Sequence, residues 1–233
     1  MNRFFILISL LCSFQVACLG FNQVQPIHQT LLENIDFSKG YSADSSYFSL
    51  KLARDNAEQS GNWKDLSFAH HAMGKLLFHR GIYSQSLEHL LSAEELFEKL
   101  NYDSAIVVNK NFLGKLYFKT KGISEAIQMH QEALLLAQET GNRFGEAYSL
   151  SMLGGMYEKS GDYATALYFQ WKAKSILKFL DDRYLLSEVF ENIGSIHEDL
   201  LNLDSAFFYF QKAYDVSLAQ GDRIELISKL NNL

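Results

Sequence analysis

Three histidines in the first half of the chain are the residues best suited to metal binding or acid–base chemistry. His70, His71 and His79 fall within one stretch in which apolar residues have helical spacing. His71 and His79 are eight residues apart, which places them about two turns apart on a straight helix, too far to share one ion. His70 is expected to pack between repeated units. The histidines therefore predict no metal site.

Other signatures of chemistry are missing from the sequence. The chain has no G-x-S-x-G, no phosphate-binding glycine loop and no HExxH. Its only cysteines, Cys12 and Cys18, lie near the N-terminus, so the remaining chain has no thiol for a disulfide or a metal. With a formal net charge of −6, the chain also lacks the excess of Lys and Arg that nucleic acids and anionic membranes attract. We therefore expect no catalytic residue, no cofactor and no nucleic-acid partner.

Small residues recur at one fixed interval and indicate repeated pairs of helices. Glycine inside a helix costs about 1 kcal/mol relative to alanine, so its recurrence predicts a close crossing, with glycine on the first helix facing alanine on the second. The set comprises Gly74, Gly114, Gly154 and Gly194, then Ser86, Ala126, Ala166 and Ala206 twelve residues after each glycine, and Ala93, Ala133, Ala173 and Ala213 seven residues further on.

The repeated unit resembles the tetratricopeptide repeat. The segment NFLGKLYFKTKGISEAIQMHQEALLLAQETGNRFGEA is similar to the family pattern nearly position for position, with His197 and Ser86 as departures from the usual tyrosine and alanine. The period of about 40 residues is that of a long subtype, found in kinesin light chain and bacterial regulators. The resemblance implies an all-α fold: a right-handed superhelical array of antiparallel helix pairs, whose first helices line a concave groove.

The repeat frame divides the chain into segments. Residues 1–20 are expected to be a signal peptide, and residues 27–66 a degenerate first repeat with Asn34 in the glycine position. Residues 67–226 then form four complete repeats of equal length. Residues 227–233 are expected to be the truncated first helix of a further repeat.

The resemblance also implies which side chains line the groove. They are polar or aromatic residues of the first helices, basic towards the N-terminal half and acidic towards the C-terminal half, with Phe78, Phe118 and Tyr148 as an apolar strip. A dipolar groove of this kind would orient a bound protein or peptide; the alternative is that the charges form a solvated helix face. The candidate residues are His71, Lys75, Phe78, His79, Asn111, Lys115, Phe118, Lys119, Tyr148, Glu158, Glu188, Glu191, Glu198 and Asp199.

A more specific binding mode is only partly present. Some family members hold a C-terminal carboxylate with a clamp of lysine and asparagine. Lys75, Asn111 and Lys115 imitate that clamp in residue type, but not in spacing. We therefore do not expect a carboxylate clamp.

The N-terminal segment has the features of a secretory leader. Arg3 precedes an uncharged, mostly apolar run from residue 4 to 11, and small residues follow at Ala17 and Gly20. The run is short for a membrane span. Cleavage near Gly20, lipidation of Cys18 and an uncleaved anchor are the alternatives. The segment predicts export, with a periplasmic or membrane-associated location rather than a cytoplasmic one.

The C-terminal residues and the resemblance leave two classes of function. Leu226, Ile227, Leu230 and Leu233 continue the first-helix pattern, and without a covering helix they would form an apolar end suited to self-association. The first class is the sensory region of a longer signal-transduction protein, a histidine kinase or transcription regulator with a C-terminal membrane span. The second is a free-standing exported or lipid-anchored scaffold for an envelope complex. The motifs do not support an enzyme.

Overall fold

The computed structural model describes residues 43–180 and 182–220, which form nine α-helices and no strand. All of them belong to the compact unit Asp36–Leu233, and the unit Met1–Ile35 lies outside the described residues. The helices are α1 Ala43–Ser60, α2 Trp63–His79, α3 Tyr83–Lys99, α4 Asp103–Thr120, α5 Ile123–Glu139, α6 Arg143–Lys159, α7 Tyr163–Leu177, α8 Arg183–Asp199 and α9 Leu203–Gln220.

The helices pack as four successive pairs. The most extensive contacts join α2 to α3, α4 to α5, α6 to α7 and α8 to α9, while α1 packs on α2. The first helices α2, α4, α6 and α8 also contact one another from pair to pair. The predicted all-α array of helix pairs is therefore confirmed.

Several predictions concern parts of the chain that the structure does not describe. The signal peptide at 1–20, Cys18, Asn34 and the segment 227–233 lie outside the described residues. The same holds for Leu226 and Ile227. Among the described residues, none of the helices has the length and apolarity that crossing a bilayer requires.

Polar caps mark the beginning of the first helices α2, α6 and α8. Asn62, Asn142 and Asp182 each accept a hydrogen bond from the backbone N–H three residues later, at 3.2, 2.9 and 2.9 Å. These bonds satisfy N–H groups that the first helical turn leaves unpaired. In the turns inside two pairs, Gly81 and Gly161 have φ values of 74° and 81°, a region that L side chains rarely adopt.

The repeated glycines lie where the two helices of a pair approach each other. A Cβ on Gly74 would come within 2.7 Å of Leu90 Cγ, and one on Gly194 within 2.7 Å of the Phe210 ring. Ser86 donates a hydrogen bond to the Gly74 carbonyl at 2.7 Å, which gives its hydroxyl a buried partner. The repeated alanines are all buried (Ala93, Ala126, Ala133, Ala166, Ala173, Ala206 and Ala213).

The side chains over the glycines come from a column that the small-residue pattern does not contain. Each lies four residues, or about one helical turn, after the serine or alanine expected to face the glycine. The four residues of this column differ in type, although each fills the same gap above a glycine. The column consists of Leu90, His130, Gln170 and Phe210.

Candidate functional site

Four columns of the first helices carry most of the predicted groove residues. The columns change in character along the array, from mostly basic or aromatic residues in α2 and α4 to mostly neutral or acidic residues in α6 and α8, with Asn111 and Lys159 as exceptions. The columns are His71, Asn111, Ser151 and Glu191; Lys75, Lys115, Gly155 and Ser195; Phe78, Phe118, Glu158 and Glu198; and His79, Lys119, Lys159 and Asp199.

The predicted residues of α2 converge on one ring of α4, that of Phe112. The Phe78 ring centroid lies 5.2 Å from that of Phe112, edge to face, and Lys75 Nζ lies 5.9 Å from the same ring. The rings of His71 and His79 lie 6.1 and 6.3 Å away. Phe112 was not among the predicted groove residues, because the equivalent positions of the other repeats hold alanine, methionine and asparagine.

His71 links helices rather than lining an open groove. Asn109 Nδ2 donates to the Leu90 carbonyl at 2.9 Å, so Asn109 Oδ1 accepts from His71 Nδ1, also at 2.9 Å. Burial lowers the pKa of His71 to about 4, with the nearby Lys75 charge acting in the same direction and the Asn109 bond opposing it. His71 is therefore a neutral tie between α2 and α4.

Asn111 lies in the interior, which differs from its predicted place in the groove. Its side chain is fully buried. It accepts a hydrogen bond from His130 Nδ1 at 2.8 Å and donates to Ser149 Oγ at 2.7 Å and to the Val107 carbonyl at 3.0 Å. Because these bonds occupy the amide, Asn111 cannot take part in a carboxylate clamp with Lys115.

Lys115 interacts electrostatically with residues on both sides of the candidate groove. Burial acts to lower the pKa of Lys115, but its interactions with Tyr148, including a hydrogen bond, and the charge of Glu188 outweigh the effect of burial, so the pKa is raised. After burial and Lys75, Lys115 is a further cause of the lowered pKa of His79. The charge of Lys115 therefore acts on His79 of α2, while Glu188 of α8 stabilises the charge of Lys115.

The predicted apolar strip is divided between separate clusters. Phe78 packs with Phe112, as described above, whereas Tyr148 stacks on Phe144 with ring centroids 6.2 Å apart. Phe118 is partly buried and lies under Lys119 Nζ at 5.6 Å. These rings support the helix faces locally and do not form one continuous band.

A cleft of about 410 Å³ opens between α4, α6 and α8. It brings together four of the predicted residues: Lys115, Glu158, Glu191 and Glu198. Glu188, Asp199 and Lys119 are not part of its lining. The lining residues are Lys115, Ser151, Met152, Gly155, Met156, Glu158, Lys159, Glu191, Asn192, Ser195, Glu198 and Phe210.

Glu158 is a buried carboxylate in the wall of this cleft. Its exposed fraction is 8%. Glu158 Oε1 accepts a hydrogen bond from Ser195 Oγ at 2.7 Å and lies 3.7 Å from Lys159 Nζ. Above Gly155, in contrast, a Cβ would meet no atom within 4 Å. The cleft therefore combines open space at Gly155 with a fixed negative charge at Glu158.

The histidine predicted to pack between repeats, His70, has a partner within its own helix pair. Its Nδ1 lies 3.1 Å from Nδ1 of His89, across the α2–α3 pair. Burial, the His89 ring and the Arg54 charge lower the pKa of His70 to about 4. In the described part of the chain, no group of three or more His, Cys, Asp or Glu side chains is placed to hold a metal ion.

The chain resembles known proteins in sequence and in fold. The tetratricopeptide repeat family model matches residues 104–178, and no curated protein matches the chain. BtubC (BKLC) from P. vanneervenii has a TM-score of 0.70 and 15% identity, covering 83% of this chain and 82% of that one. Aspartyl phosphate phosphatase F from Bacillus subtilis has a TM-score of 0.64 and 18% identity, covering 88% and 59%.

A third structure extends the comparison to a multidomain protein. It is a signal transduction ATPase with numerous domains and a tetratricopeptide repeat sensor, from Pyrococcus horikoshii. The TM-score is 0.60 at 14% identity, covering 88% of this chain and 33% of that one. At these identities the likeness concerns the fold alone. Residues 104–178 therefore match the tetratricopeptide repeat model, and the described residues share with these structures the fold of a solenoid of antiparallel helix pairs.

Proposed function

We propose that this chain is a non-catalytic scaffold that binds a peptide segment of a partner protein along its first helices. The observation that carries the proposal is the cleft of about 410 Å³ between α4, α6 and α8. It is lined by charged, polar and apolar groups, and such a mixture of an apolar surface with a few placed polar groups is typical of ligand sites. It spans three successive repeats, a length suited to an extended peptide.

The charge distribution supports one orientation of the ligand. Lys75, His79 and Lys115 interact electrostatically on the α2–α4 side, whereas Glu158, Glu191 and Glu198 line the cleft towards α8. Complementary charges select the register of a partner more than they add affinity. An acidic segment of the ligand would therefore face α2 and α4, and a basic segment would face α6 and α8.

A peptide-display selection tests the proposal. The full chain is used to select binders from a random dodecapeptide library, and the affinities are measured by fluorescence anisotropy. Gly155→Trp places a large side chain in the cleft, and its Cβ meets no atom within 4 Å. We expect it to weaken binding by about tenfold or more, while Glu98→Trp, on the exposed surface of α3, leaves binding unchanged. Failure to select any peptide, or equal binding by the two variants, would contradict the proposal.

We also propose that the scaffold is exported and acts as the sensory region of a signal-transduction protein. Export is supported by Arg3 and the apolar run that follows it, and the sensory role by the fold shared with the Pyrococcus horikoshii sensor. The alternative is a free-standing exported scaffold. Fusing residues 1–40 to alkaline phosphatase, which is active only outside the bacterial cytoplasm, tests export; an inactive fusion would contradict it.

A further inference from the structure

The residue type at the position of Glu158 differs between repeats, and the fold does not require this difference. The equivalent residues in α2 and α4 are Phe78 and Phe118, so a phenylalanine can occupy the same place on a first helix. In α6 the chain instead buries a carboxylate, which is unfavourable unless the charge finds partners. This substitution of an acid for an aromatic ring points to a use for the charge.

The partners that Glu158 has within the fold are modest. Ser195 donates one hydrogen bond to Oε1, and Lys159 lies 3.7 Å from Oε1 with a side chain that is 56% exposed. An ionised carboxylate accepts up to about four hydrogen bonds through its two oxygens. Glu158 therefore retains the capacity to accept further hydrogen bonds within the cleft.

The surrounding groups favour a cation at this place. Glu191 and Glu198 line the same cleft, and the walls also include Met152 and Met156. Thioether side chains give the apolar contact that the aliphatic stem of a long basic residue needs. Lys115 gives the α4 side of the cleft a positive charge, whereas on the α6–α8 side Lys159 is outnumbered by Glu158, Glu191 and Glu198. The net negative charge of the α6–α8 side therefore favours a ligand cation there.

We infer that the cleft recognises a single basic side chain of the ligand peptide, an arginine in preference to a lysine, through Glu158. The inference rests on the proposed peptide-binding function and names the chemistry that the site selects. The planar guanidinium donates parallel hydrogen bonds to a carboxylate, a geometry that an ammonium does not offer. Glu191 and Glu198 add negative potential to the lining of the cleft, and Ser195 holds the Glu158 carboxylate in position.

The test compares charged and neutral forms of the same peptides. Peptides selected by the full chain are resynthesised with citrulline, which keeps the shape of arginine without its charge, or with lysine in place of each arginine. We expect one arginine per peptide whose citrulline form binds about tenfold or more weakly, with the lysine form in between. In the Glu158→Gln variant, the difference in affinity between the arginine and citrulline peptides should largely disappear, because the neutral amide forms no ion pair with a cation.

Two matched variants keep the result interpretable. Glu158→Gln retains an oxygen that can accept from Ser195, and Glu139→Gln removes a carboxylate from the exposed end of α5, where the arginine preference should persist. If Glu158→Gln does not fold, Glu191→Gln and Ser195→Ala replace it, each with a reduced citrulline effect expected. Selected peptides that bind equally well with citrulline, or that contain no basic residue, would overturn this inference and leave the groove function standing. If no peptide can be selected, both are overturned.

Discussion

The His130 ring lies directly over Gly114, so that a Cβ on the glycine would stand 2.5 Å from His130 Cε1. No side chain fits between α4 and α5 at this point, and the two backbones approach as closely as the ring allows. His130 is fully buried, and its Nδ1 bonds to Asn111. One glycine therefore admits a polar ring into the interior, and the ring connects the pair to Asn111.

Adjacent glycines in α6 should respond to substitution in opposite ways. A Cβ at Gly154 would stand 2.6 Å from Gln170 Nε2, which donates to the Ser151 carbonyl at 3.0 Å. Gly154→Ala should therefore destabilise the fold by about 1–3 kcal/mol, and Gly154→Leu by more. Gly155→Ala meets no atom and should stabilise it by up to about 1 kcal/mol. Urea unfolding measures both; equal effects would show that the crossing lies elsewhere.

Removing the Asn111 side chain should be costly, because it leaves buried groups without partners. His130 Nδ1 and Ser149 Oγ both bond to Asn111. An unsatisfied buried polar group costs about 1–3 kcal/mol, so Asn111→Ala should lower the free energy of unfolding by about 2 kcal/mol or more. Gln128→Ala on the exposed face of α5 is the control, and we expect a change within about 0.5 kcal/mol.

Acid should destabilise the fold through its buried histidines. Burial lowers the pKa of His71 to about 4 and that of His130 to about 3, with Lys75 and Lys115 respectively adding to the effect. Each ring is neutral when folded, whereas in the unfolded chain it binds a proton near pH 6.5. The unfolded state then binds more protons below that pH, so stability is full above pH 6.5 and falls towards pH 4.

A single replacement should isolate the contribution of His130. Glutamine already fills the equivalent place over Gly154, at Gln170, so His130→Gln is compatible with the crossing. Its free energy of unfolding should depend less on pH between 6.5 and 4 than that of the parent, by on the order of 2 kcal/mol over the range. Parallel pH profiles for the two proteins would show that His130 does not titrate on unfolding.

The turn between α8 and α9 should gain stability from glycine. Leu201 has a φ of 59° and is 82% exposed, in the position where Gly81 and Gly161 stand in other repeats. A left-handed conformation costs about 1–2 kcal/mol for a side chain other than glycine. Leu201→Gly should therefore raise the melting temperature, while Leu200→Gly, at a residue with φ of −81°, should lower it.

The fold could be predicted because small residues recur at a fixed interval. The site could be predicted only in part, because the sequence does not show which polar side chains are buried. Glycine recurs because any side chain would clash at the helix crossing, so the same residue is seen at this position in each of the four complete repeats. The facing column varies from Leu90 to His130, Gln170 and Phe210, so a search for recurring residues does not find it. Phe112 was likewise missed, since its importance arises from α2 side chains that only the folded chain brings near.

The polarity of a groove residue did not determine its exposure. Asn111 and Lys115 are one turn apart on α4 and were both assigned to the groove. Lys115 reaches the cleft, whereas Asn111 is held inside by His130 of the following helix. Such a partnership depends on the rotation of α5 about its axis, which the helical period fixes only approximately.

The bond between Ser195 and Glu158 joins two successive helix pairs, and so it lies on a seam of the array. Helices share more contacts within a pair than across a seam. We therefore expect a pull on the two ends of the array to separate the seams first, so that the stiffness of the array depends on the interfaces between pairs. A ligand in the cleft would brace α4, α6 and α8 together and stiffen the array, whereas stretching would widen the cleft and release the ligand.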